Sequence, residues 1–141
     1  MTVQTRIYLP LTAAALRRLD RSGRLEPAPF TAYAVTTDLR REHPTADDEE
    51  LEYLAFKDAA RSGGEPSPVV AAADVDADAV TDLVEPAAAV SAIQVATAVS
   101  RPRVAAFHVV LPSSDAVSDG QVPDYAWYDA TELSAVLDLL G

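Results

Sequence analysis

The sequence predicts a single α/β domain over residues 1–141: a mixed, mostly parallel central sheet with helices packed on it and an antiparallel extension at the C-terminal end. Three observations predict it. Val69-Val70-Ala71-Ala72-Ala73 and residues 104–111 are apolar runs without alternation, as expected of strands covered on both faces. Strand-like and helix-like segments alternate over the first half of the chain and strands then cluster. A length of 141 residues matches one domain, in which folding buries about two thirds of the surface the unfolded chain exposes.

The elements follow in order. Arg6-Ile7-Tyr8-Leu9 reads as a first strand, stopped at Pro10, which has no N–H for a ladder. Thr12 caps a helix whose Leu11, Ala14, Ala15, Leu16 and Leu19 face inward, and Gly23 supplies the left-handed stop. Phe30-Thr31-Ala32-Tyr33-Ala34-Val35 is a second strand. Residues 37–42 have room for one or two helical turns before His43-Pro44, because the residue before proline is pushed out of the helical region. Thr45 with Asp48, or Asp47 with Glu50, then starts a helix over residues 46–62, and the acids at its head suit the positive end of the helix dipole. That helix has two apolar sides, Leu51, Leu54, Ala55 and Ala59 on one and Tyr53, Phe56 and Ala60 on the other, so it packs between layers or self-associates.

Residues 63–68 read as a loop, 69–73 as a buried strand, 76–84 as a short helix, and 87–99 more as strand than as helix. A further buried strand at 104–111 contains His108, and a Ser/Asp/Gly/Pro-rich loop spans 112–124. Tyr125-Ala126-Trp127-Tyr128 is a last strand, its aromatic residues assigned to the core with Tyr125 and Trp127 on one side. Asp129 with Glu132 caps a final helix striped by Leu133, Val136, Leu137 and Leu140.

Composition excludes several functions. Without cysteine there is no disulfide framework, thiolate nucleophile or thiolate metal site. The net charge of -11 opposes binding to nucleic acid, which depends on Lys and Arg displacing counterions. Residues 63–141 hold two basic and twelve acidic groups and carry nearly all of that charge. No window approaches the roughly 18 apolar residues of a membrane helix, so a cytoplasmic protein without membrane contact is expected.

Several blocks together carry a resemblance: Arg6-Ile7-Tyr8-Leu9-Pro10, Phe30 through Thr36, Glu49-Glu50-Leu51-Glu52-Tyr53, Val69 through Val75, Val104-Ala105-Ala106-Phe107-His108-Val109 and Trp127 through Leu133. In these the chain resembles a family of small actinobacterial proteins that constitute a domain of unknown function. The resemblance covers most of the chain and brings no activity, cofactor or site residue with it.

The most specific chemical pattern runs from Asp74 to Glu85. Asp74, Asp76, Asp78 and Asp82 at positions 1, 3, 5 and 9, with Glu85 at 12, match the acidic positions of a calcium loop, although Ala79 replaces the turn glycine. Asp74, Asp76 and Asp78 are therefore the candidate ligands for calcium or magnesium. An apolar strand ending in Asp-x-Asp also resembles the first motif of haloacid-dehalogenase-type phosphohydrolases, which would make Asp74 the nucleophile and Asp76 the acid/base. The alternative is structural: Asp74 ends a strand, and Asp76 or Asp78 caps the next helix.

His108 in an apolar strand reads as a neutral imidazole, and with His43 distant and no cysteine a zinc site is not expected. No Gly-x-Ser-x-Gly elbow or phosphate loop is present. The strip of Arg17, Arg18, Arg21 and Arg24 is the main positive feature and could dock an acidic surface. No complete catalytic constellation assembles from these residues. The expected function is a non-catalytic binding or regulatory module acting through protein contacts, with an unknown protein partner or with itself. A divalent-metal-binding protein or small metal-dependent phosphohydrolase centred on Asp74 and Asp76 is the alternative.

Overall fold

In the computed structural model, residues 3–25, 28–62, 67–83, 89–110 and 125–140 are described. Strand β1 (Gln4–Leu11) lies at the middle of a seven-stranded sheet. On one side it pairs with β3 (Phe30–Ala34), followed by β6 (Ala92–Val95) and β5 (Val80–Asp82). On the other it pairs with β4 (Val69–Asp76), followed by β8 (Val104–Val110) and β9 (Tyr125–Asp129). A separate two-stranded ribbon joins β2 (Arg24–Leu25) to β7 (Val99–Ser100).

Alternation along the strands divides the core into two layers. Ile7, Leu9 and Leu11 of β1 join Val69, Ala71, Phe107 and Ile93 on one face, under helices α1 (Ala13–Ser22) and α4 (Leu133–Leu139), which contribute Leu16, Leu19, Leu133 and Val136. Tyr8, Val70 and Ala72 on the other face meet α2 (Thr37–Glu42) and α3 (Asp48–Ala60) through Leu39, Leu51, Ala55 and Ala59. The small residues of β4 and α3 admit close approach of helix to sheet, which is how an Ala- and Val-rich chain reaches native packing density.

The described strand pairs are all antiparallel, which corrects the expected mostly parallel sheet. The interior placement of both apolar runs holds, and two-sided burial holds for one of them. β4 and β8 are interior strands, and β4 is buried on both faces, whereas β8 is buried on the α1–α4 face and only half-buried at His108 and Val110 on the other. Helices on both faces produce a continuous apolar run whatever the direction of the neighbouring strand, so two-sided burial did not require parallel pairing.

Local departures have local causes. β1 continues through Pro10 because β3 pairs with it at Ile7 and Tyr8, leaving one edge of β1 free where a missing N–H is tolerated. The helix expected over 76–84 is a single 3-10 turn, Ala77–Ala79, followed by β5. Backbone bonds from Ala77 N to Val3 O and from Ala96 N to Ala79 O tie that turn to neighbouring strands. The loops expected at 63–68 and 112–124 lie wholly or mostly outside the described residues. No helix among the described residues is long and apolar enough to cross a membrane.

Candidate functional site

Asp74 and Asp76 sit two residues apart on β4 and so share the α3 face of the sheet. The antiparallel register places Arg6 directly opposite Asp74 and Gln4 opposite Asp76. Arg6 grips Asp74 with a two-point fork, Nε donating to Oδ1 at 2.7 Å and Nη2 to Oδ2 at 3.0 Å. Gln4 Nε2 donates to Asp76 Oδ1 at 2.6 Å, and Arg103 Nη1 reaches the same oxygen at 3.4 Å and Gln4 Oε1 at 2.7 Å. The positive charge facing both carboxylates thus comes from arginine side chains of this chain. Asp78 is exposed on the turn, and Asp76 stands at the head of that turn without capping it. Glu85 lies outside the described residues. Among the described residues no group of three or more His, Asp or Glu side chains is placed to hold a metal ion.

Beside this network, Arg6, Arg40, Asp48 and Glu52 line a polar depression of about 210 Å³, with Arg40 Nη1 donating to Asp48 Oδ1 at 3.0 Å. The hydrogen bond and charge of Asp74 raise the Arg6 pKa. Burial pushes the Tyr8 phenol up to about 12, with Glu52 adding to the rise and Arg6 opposing it. Sequence reading had no means of joining Gln4, Glu52 and Arg103 to Asp74 and Asp76. The opposite charges of Arg6 and Asp74 in two apolar strands were the one signal of a cross-strand pair, and so of antiparallel register.

Next to the polar network on the same face lies a row of aromatic rings. Phe56 of α3 is its hub, edge-on to Tyr8 at 6.1 Å and Tyr125 at 5.3 Å, tilted against His108 at 4.9 Å, and stacked on Tyr53 at 6.3 Å. Tyr125 is anchored by its hydroxyl, which donates to Ser67 O at 2.6 Å. Burial first, and then Arg6, lowers the His108 pKa, consistent with the neutral imidazole expected from its apolar strand. The row ends in the open. Trp127, directly across the β8–β9 pair from His108, is 62% exposed, and Tyr53 is 55% exposed.

This corrects the assignment of Trp127 to the core: β9 is an outer strand of the described sheet and α3 covers it only as far as Tyr125. Phe56, one of the two aromatic residues on the second apolar side of α3, is covered within the chain, whereas Tyr53 is not.

On the opposite face, Arg17, Arg18, Arg21 and Arg24 line the outside of α1 and the start of β2, all exposed as expected. Arg18 stands at the mouth of a groove of about 190 Å³ walled by Leu9, Leu11, Ala15, Leu25 and Phe30.

These features describe a mostly antiparallel seven-stranded sheet with helices on both faces. A protein-family model matches residues 5–137, and the chain belongs to that family, the family of unknown function DUF6912. No curated protein and no solved structure is similar to it in the comparisons made.

Proposed function

We propose that this chain is a non-catalytic binding module that acts through protein contacts, using the aromatic row across α3 and β9. The observation that carries this reading is the exposure of Trp127 and Tyr53 at the two ends of a row whose middle is packed. Large aromatic side chains bring 150–250 Å² of contact area each, at little conformational cost because they have only two rotatable angles. They are the residues on which interface energy concentrates, and the Tyr53 ring, already stacked on Phe56, would meet a partner preorganised. The partner is a second protein or a second copy of this chain.

The test compares the wild-type chain with a Tyr53→Ser/Trp127→Ser variant, immobilised side by side in native lysate, and runs both in sedimentation velocity. The expected result is a protein retained by the wild type, or a self-associated species, that the variant loses while keeping its melting temperature. Identical retention and identical sedimentation of the two chains would overturn the reading.

A further inference from the structure

With 22 acidic residues against ten arginines and one lysine, an exposed arginine in this protein has carboxylates to spare. Arg6, Arg40, Arg41, Arg101 and Arg103 each stand 2.7–3.7 Å from one. Arg17, Arg18, Arg21 and Arg24 have no ion-pair partner among the described residues, and all four fall within one stretch of eight residues. The one acid of α1, Asp20, is paired with Arg101 of the neighbouring segment at 3.7 Å. Burial of Leu16 and Leu19 fixes the helix so that Arg17, Arg18 and Arg21 point outward. Beside them the 190 Å³ groove is apolar, and it is smaller than the roughly 300–1,000 Å³ of pockets that enclose whole small ligands. It is sized for a side chain.

We infer that the arginine strip of α1 and β2, with the groove beside Arg18, is a docking surface for an acidic peptide segment of a partner protein. One apolar side chain of that segment enters the groove, and its flanking carboxylates pair with Arg17, Arg18, Arg21 and Arg24. Charge selects this occupant. A polyphosphate chain or an anionic bilayer meets the repulsion of a net -11 along its whole length, and a second copy brings the same -11. A short acidic segment contacts only the local positive patch, within about one Debye length, and gains from the apolar groove besides. This surface lies on the α1–α4 face of the sheet, whereas the aromatic row lies on the α3 face, so the two can be occupied and tested independently.

The experiment is fluorescence anisotropy of the full chain with labelled short peptides of Asp and Glu around one central Leu. The expected result is saturable binding that weakens about tenfold, about 1.4 kcal/mol, when Ser replaces that Leu. Arg18→Glu/Arg21→Glu should weaken it at least as much with an unchanged melting temperature. Ala15→Phe, which fills the groove from the α1 side without altering charge, should reduce the preference for Leu over Ser. The inference is overturned if no acidic peptide binds, if the Leu and Ser peptides bind equally, or if single-stranded DNA or anionic vesicles bind more tightly than the Leu peptide at about 0.15 M salt.

Discussion

Arg6 and Asp74 form the one two-point ion pair among the described residues, and both are about 40% exposed, so a contribution of about 0.5–1 kcal/mol is appropriate. Asp74→Asn should cost about that much in urea unfolding, with the loss shrinking in high salt. The same variant bears on the calcium or magnesium reading of Asp74, Asp76 and Asp78. With arginines facing Asp74 and Asp76, a millimolar divalent cation is expected to shift the melting temperature no more than sodium at matched ionic strength. A rise peculiar to calcium or magnesium, and lost in Asp74→Asn, would restore that ligand set.

His108 gives a pH prediction at the same scale. Its folded pKa lies below the ordinary 6.5, so the unfolded chain takes up a proton first as pH falls, and folding stability declines below about pH 6.5. Unfolding at about pH 5.5 and about pH 7.5 should show that loss in the wild type and a smaller one in His108→Asn. An equal loss in both would assign the pH dependence to other groups. The neutral character of His108 was legible from its apolar strand. The exposure of Trp127 was not, because an alternating strand reads the same whether or not a helix reaches its far edge.

Helix ends were the most legible elements, since a cap is a local contract between a side chain and nearby N–H groups. Thr12 accepts from Ala15 N, Asp47 from Glu50 N, and Asp129 and Glu132 form the reciprocal box expected of them. Gly23 takes φ 77 at the end of α1, with nothing within 4 Å of where a Cβ would stand, so substitution there meets conformational strain without a clash. Gly23→Ala should therefore cost about 1 kcal/mol and Gly23→Asn less, measured by thermal unfolding. Equal stability of all three chains would show that the left-handed turn is not held by the glycine. The helix expected over residues 76–84 failed for the opposite reason. Its Ala and Asp content permits a helix, but Val80 through Asp82 pair with β6, the next strand along the chain, a pairing that helix propensity within the segment does not see.

At the scale of the whole molecule, the sequence carried burial but not strand direction. Apolar runs identified β4 and β8 as interior strands, and helices on both faces account for the run of β4 as well in this antiparallel sheet as in a parallel one. Direction is set by which distant strands meet, and the only trace of it was the pairing of Arg6 with Asp74 across β1 and β4. The resulting sheet exposes aromatic rings on its α3 face and, on its α1 face, arginines without an ion-pair partner among the described residues.

Trp127 is the only tryptophan in the chain, so intrinsic fluorescence reports on one end of the aromatic row alone. The most direct test of the account is the emission of Trp127 in the isolated protein and again with the partner, or at the self-association concentration, identified by comparison with the Tyr53→Ser/Trp127→Ser variant. The account predicts the red-shifted, readily quenched emission of a solvated indole in the isolated chain, moving to shorter wavelength and becoming protected from iodide on binding. Blue, protected emission in the isolated chain, or emission unchanged by the bound partner, would contradict it.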